Sequence, residues 1–245
     1  MLIVLTATKD RSCARRGFVE KSNDLSVRPT IGPWKRSCTL AALSREAGRV
    51  LEGEQPCGGP NAPYFGKMRT VCSVFVGVSL DGFIARPDGG LDWLEGDGTA
   101  EMGDHGFEAF MAGVDAIVMG RKSFETVMSF ATWPYMKKVI VLSSGKVDLT
   151  AARARGAAVE VMNAPPEELI AELAAKGLYR LYVDGGVTVQ RFLRAGLVDR
   201  LILTRLPVLI GQGVPLFGGL EKDIRLKLIA SRTFPGGLVQ SEYVR

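Results

Sequence analysis

The chain has 245 residues, 47% of them hydrophobic, with 31 basic and 26 acidic side chains and a net charge of +5. This is the balance of an ordinary globular protein, and no apolar run approaches the roughly 18–20 residues that a membrane helix needs. The charge excess lies wholly in residues 1–67, with 11 basic and 6 acidic residues, so residues 68–245 are neutral and give no ground for a nucleic-acid partner.

At the very start, the apolar stretch 1–7 is followed at once by Lys9, Asp10 and Arg11 rather than preceded by charge. That order fits a secretion signal poorly, and a cytoplasmic protein that binds no membrane is expected. Residues 1–67 show no sustained period of 2 or 3.6 and are punctuated by Pro29, Gly32, Pro33, Pro56, Gly58, Gly59, Pro60 and Pro63. One helix over about residues 39–51 would be too short to stand alone. The segment reads as a poorly ordered basic extension, or as a stretch upstream of a true start at Met68. If it has a role, its charge suits an acidic partner. Cys13, Cys38, Cys57 and Cys72 include no CxxC pair and read as reduced thiols, with no metal site.

From Met68 the pattern becomes regular. The β-branched run 71–78 reads as a central strand. A helical pattern covers 104–112, a short strand 116–119, and a helix opens at 123–128. Strands follow at 138–142 and 158–161. Pro165, Pro166, Glu167 and Glu168 start a helix that stops at Gly177. Residues 179–183 read as a strand, 187–194 as a helix and 198–206 as a long strand. Residues 225–231 and 238–244 form an antiparallel pair around Pro235-Gly236-Gly237. This order predicts an α/β domain over 68–245, with a mostly parallel mixed sheet, an antiparallel C-terminal hairpin and helices on both faces.

Four segments sit at predicted strand ends, where ligands of open α/β sheets bind. Ser79-Leu80-Asp81-Gly82 follows the first strand and alone reads as a turn. Gly120-Arg121-Lys122-Ser123 joins a strand to a helix. There Arg121 can make bidentate phosphate contacts and the helix start favours an anion, while Ser123 suits a helix cap. Leu142-Ser143-Ser144 brings two hydroxyls that can hold an adenosine 2′-phosphate, and alone reads as an ordinary polar turn. Asp184-Gly185-Gly186-Val187-Thr188 ends a strand and opens a helix, and its glycines let a pyrophosphate approach the backbone with the helix start behind it, although Gly-Gly alone is not the GxGxxG fingerprint. Together they point to a nucleotide across the sheet. His105, the sole histidine, reads as structural.

In order, these segments resemble the dihydrofolate reductase superfamily, above all the C-terminal reductase domain of the bifunctional riboflavin-biosynthesis deaminase/reductase and its stand-alone relatives. The resemblance covers about residues 69–244 and includes Asp92-Trp93, Met119 to Glu125, and the run from Leu197-Val198-Asp199 to Pro207-Val208-Leu209-Ile210-Gly211-Gln212-Gly213. It implies a dihydrofolate reductase-like three-layer α/β/α domain, a homodimer, and NADPH-dependent hydride transfer to a pyrimidine- or pteridine-type small molecule. The expected activity is of the 5-amino-6-(5-phosphoribosylamino)uracil reductase type, with dihydrofolate reductase or a non-catalytic NADP-binding homologue as alternatives.

By position, the resemblance assigns Gly120, Arg121, Lys122, Ser123, Leu142, Ser143, Ser144, Gly185, Gly186, Val187 and Thr188 to the cofactor phosphates. Gly77, Val78 and Ile84 fall to the nicotinamide side and Trp93 to the substrate. Asp104 falls at the substrate-binding carboxylate, where an apolar cleft would raise its pKa; Asp81 and Asp92 are the other candidates. Glu108 falls where a folate ring would pack, against true dihydrofolate reductase. Zinc deamination is excluded, because Pro56-Cys57-Gly58-Gly59-Pro60 lacks the second cysteine and residues 1–67 hold no histidine.

Overall fold

Strand β1 (Val71–Ser79) is buried on both faces beyond its first residue, and its alternation sorts the molecule into layers. Cys72, Val74, Val76 and Val78 enter one core with Leu169, Leu173, Val189 and Phe192. Phe75 enters the other with Phe107, Phe110, Phe124 and Ala152. This is a computed structural model, describing residues 69–95 and 103–245. The extension expected over 1–67, with three of the four cysteines, lies outside the described residues, as does the segment 96–102.

The remaining elements in chain order are β2 (Phe83–Ala85), α1 (Phe107–Ala112), β3 (Ala116–Gly120), α2 (Arg121–Met128), β4 (Lys138–Leu142), α3 (Thr150–Ala154), β5 (Val159–Met162), α4 (Pro166–Ala175), β6 (Arg180–Asp184), α5 (Gly186–Arg194), β7 (Arg200–Leu206), β8 (Val214–Pro215), β9 (Lys227–Phe234) and β10 (Leu238–Val244). The main sheet runs β5-β4-β3-β6-β1-β7-β10-β9. Its first six strands are parallel, β10 runs antiparallel to β7, and β9 runs antiparallel to β10. Helices α1, α2 and α3 cover one face, α4 and α5 the other, which is the expected three-layer arrangement.

The sequence pattern places most elements within two or three residues of their observed bounds. Two differences matter for the site. Helix α2 starts at Arg121 with Gly120 as its cap residue, so Ser123 lies in its first turn and is not a cap. The β2–β8 ribbon falls outside the pattern because its strands have three and two residues, too few for a period to register. Helix α3, of five residues, escapes for the same reason. Among the described residues no helix is long and apolar enough to cross a membrane.

Candidate functional site

All six parallel strands end at one edge, and there the ladder parts. Strand β1 pairs with β6 only from Val71↔Arg180 to Ser73↔Tyr182. It stays with β7 as far as Ser79↔Leu206, while β6 stays with β3 as far as Met119↔Asp184. The unpaired stretch between β1 and β6 lies at the strand C-termini, where the sheet order switches direction, the position at which open α/β sheets take ligands.

At the same edge, over the ends of β4 and β5, is a cavity of about 560 Å³ lined by Arg121, Leu142, Ser143, Ser144, Gly145, Met162, Asn163, Ala164 and Arg191. Arg121 stands at the N-terminus of α2, whose first N–H groups lack intrahelical partners and favour an anion. Its Nε binds Glu125 Oε1 at 2.7 Å, which leaves the terminal amino groups beside Gly145. Ser143 Oγ is engaged with Gly145, accepting its N–H at 3.2 Å, whereas Ser144 is exposed. Arg191, which the motifs do not mark, comes from α5. The spacing could have found it, because Val187 and Arg191 are four apart and share the helix face opposite the buried Val189, Phe192 and Leu193. Two guanidinium groups and a free hydroxyl suit a phosphate dianion.

Tight packing of the β6–α5 turn against its neighbours requires both of its glycines. Gly185 has φ +89°, and a Cβ there would lie 2.2 Å from Ser123 Oγ. A Cβ at Gly186 would lie 2.7 Å from the Pro215 carbonyl oxygen, whose ribbon Gln190 also holds at 2.9 Å. Thr188 is buried against Gly120, so Ser123 and Thr188 serve this packing. Val187 is exposed beside them, as is Lys122. Gly77 faces the α1 layer opposite Thr204 of β7, while Val78 and Ile84 pack into the α4/α5 core.

The expected acids need correction. Asp104 is exposed, and its two oxygens accept the backbone N–H groups of Gly106 and Glu108 at 3.0 Å each. Those bonds hold its carboxyl below the usual range, the reverse of the raised value expected in an apolar cleft, because the group caps the turn into α1. Asp81 is likewise engaged. Ser79 donates to it at 2.6 Å and the N–H of Gly211 at 2.8 Å, so it ties the loop after β7 to the first turn, with a lowered pKa. Asp92 forms a two-pronged ion pair with Arg86. Trp93 is buried in the α1-side core with its indole N–H unpartnered.

A carboxylate that the sequence reading places in the glycine turn, but not among the candidate acids, occupies the parted edge. Asp184, the last residue of β6, is 2% exposed. Its Oδ1 accepts the Gly185 N–H at 2.8 Å, and its Oδ2 has no partner within hydrogen-bond geometry. Burial, then the charges of Asp184 and Tyr135 and a hydrogen bond with the Asp184 side chain, push the Tyr182 phenol well above its ordinary value, and its hydroxyl donates to the Phe75 carbonyl at 2.9 Å. Burial, and then the Asp184 charge, push the Tyr135 phenol well above its ordinary value.

Residues 71–240 match the model of the RibD C-terminal domain. The chain is 32% identical over 174 residues to the uncharacterised protein YwjB of Bacillus subtilis, covering 70% of this chain and 96% of that one. A solved protein from Shewanella sp. PV-4, whose name places it in riboflavin biosynthesis, is 40% identical with a TM-score of 0.64, over 71% of this chain and 98% of that one. The deaminase/5-amino-6-(5-phosphoribosylamino)uracil reductase of Thermotoga maritima shares the fold at 19% identity and a TM-score of 0.55, over 74% of this chain and 58% of that one.

Proposed function

The chain belongs to the RibD C-terminal domain family, and from that premise we propose that it is an NADPH-dependent reductase of the 5-amino-6-(5-phosphoribosylamino)uracil reductase type. The observation that carries this reading is the cavity in which Arg121, Ser144 and Arg191 converge at the strand ends, beside the N-terminus of α2. That donor set fits the 2′-phosphate that distinguishes NADPH from NADH, and the starts of α2 and α5, which follow β3 and β6 at the same sheet edge, suit the pyrophosphate. When bound, the cofactor supplies hydride. The protein orients the acceptor at the parted edge and keeps water from it.

Reduction of a C=N or C=O also takes up a proton at the heteroatom. With Asp104 and Asp81 engaged by backbone N–H groups, the unpartnered Oδ2 of Asp184 is the oxygen we assign to that proton. A folate-sized acceptor is disfavoured by Phe75, Phe107, Phe110 and Tyr182, whose rings pack 5.1–6.2 Å apart beneath α1.

The test is a fluorescence titration with NADPH, followed by turnover with 5-amino-6-(5-phosphoribosylamino)uracil. Saturable binding and NADPH oxidation are expected. No binding refutes the reading, and binding without oxidation selects the non-catalytic homologue. Asp184→Asn should bind NADPH within about 2-fold of the unaltered protein and lose roughly 100-fold or more in kcat.

A further inference from the structure

His105 is the one described non-glycine residue with positive φ, at 49°. With Gly106 at φ 87° it makes two successive left-handed residues that turn the chain into α1. A glycine would make this turn without steric cost, so the imidazole is held at a conformational disadvantage. A polar strap fixes it: Gln240 Nε2 donates to the His105 carbonyl at 3.1 Å and to Thr204 Oγ1 at 3.0 Å. Gln240 and Thr204 are themselves buried.

The strap has a definite place. Thr204 is opposite Gly77 on one side and Gln240 on the other. All three face the α1 layer, since Phe75, Ile202 and Leu238, two residues away along each strand, belong to that core. Asp184 points to the same layer, two residues after Tyr182. His105 therefore stands over β10 and β9, beyond β7 from β1, and Asp184 lies on the other side of β1, where β1 and β6 part.

The ring is 6% exposed, edge-on to Phe234 at 4.6 Å, and its Nδ1 has no partner. Five buried side-chain polar atoms lack partners among the described residues, and Trp93 Nε1, Trp133 Nε1, Tyr135 Oη and Asp184 Oδ2 are the other four. All belong to or line the α1/α2 side of the sheet. Buried polar groups are ordinarily satisfied, so each of these atoms is open to a hydrogen bond with a ligand or a water. Burial lowers the imidazole pKa against the opposing pull of the Asp104 carboxylate; the neutral ring offers one N–H and one lone pair.

We propose that His105 is a substrate-binding residue whose Nδ1 hydrogen-bonds the polar edge of a pyrimidinedione ring. Such an edge alternates carbonyl oxygens with ring N–H groups, so it can pair with either tautomer of the imidazole. This assignment rests on the reductase reading for its ligand class, while the geometry of the residue stands independently of the cofactor cavity.

Because His105 is the sole histidine, protein labelled with ¹⁵N-histidine gives one imidazole to follow. It is titrated with 5,6-diaminouracil, with and without saturating NADP⁺. The Nδ1 resonance is expected to shift on adding the pyrimidine and to stay in place on adding NADP⁺ alone. His105→Phe should weaken 5,6-diaminouracil at least about 10-fold with NADPH affinity unchanged. His105→Asn, which tolerates the left-handed backbone and retains a polar atom near Nδ1, should stay within about 3-fold. A resonance that does not move at saturating 5,6-diaminouracil, or a phenylalanine variant that binds it as tightly as the unaltered protein, overturns the assignment. If the phenylalanine variant does not fold, the titration of the unaltered protein decides. Absence of NADPH binding alongside a shifted imidazole refutes the reductase reading and leaves this one standing.

Discussion

Replacing Arg121 by alanine separates cofactor recognition from folding. Its side chain is 54% exposed and its ion pair with Glu125 joins two half-exposed groups four residues apart on α2, a contact worth about 0.3–0.5 kcal/mol. Stability should therefore barely change. The terminal amino groups, not engaged by Glu125, face the loop at Gly145. A charge-assisted hydrogen bond contributes about 1.5–3 kcal/mol, and partial exposure favours the lower half of that range. The expected loss is about 10- to 50-fold in NADPH affinity, with NADH changed less than about 3-fold. Fluorescence titration of both cofactors at two ionic strengths reads this directly, because the phosphate contribution weakens with salt. Equal losses for NADPH and NADH would refute the 2′-phosphate assignment of the cavity.

Further outcomes concern the acids, the glycine turn and the sheet edge. Asp104→Ala should lower stability by about 0.5–2 kcal/mol through loss of the cap, and Asp104→Asn should recover most of it. Since the folded Asp104 pKa is depressed, its contribution is complete above the unfolded carboxylate value and is lost as pH falls through the folded one; urea melts across that acid range check the sign. A large kcat loss in Asp104→Asn with binding intact would return Asp104 to the role of acid. Gly185→Ala should cost about 2–4 kcal/mol from backbone strain and the Ser123 clash, and adding Ser123→Ala should restore only the clash share; a double variant no more stable than Gly185→Ala would refute the packing account. A homodimer, expected from the family, would use the exposed edge strand β9, where Leu228 and Ile229 face solvent. Ile229→Lys should then shift sedimentation to the monomer, and a dimer that persists excludes that edge.

The sequence by itself determined the layers and the strand-end residues that line the cavity. Strands buried on both faces, such as 71–78, leave a continuous apolar run, and the hydrophobic face of α5 shows in Val189, Phe192 and Leu193. Arg121, Ser143 and Ser144 were legible because each follows directly on a strand, and parallel strands bring such ends to one edge. Only the tertiary structure decided which carboxylates are available. Asp81, Asp104 and Asp184 look alike along the chain. The first two find backbone N–H donors, one of them 130 residues away, while Asp184 is left with one oxygen unpartnered because β1 parts from β6 beside it. Local pattern encodes burial and turn chemistry, whereas the vacancy of a hydrogen-bonding atom depends on which strand ladders stop, and that is set by contacts remote in sequence.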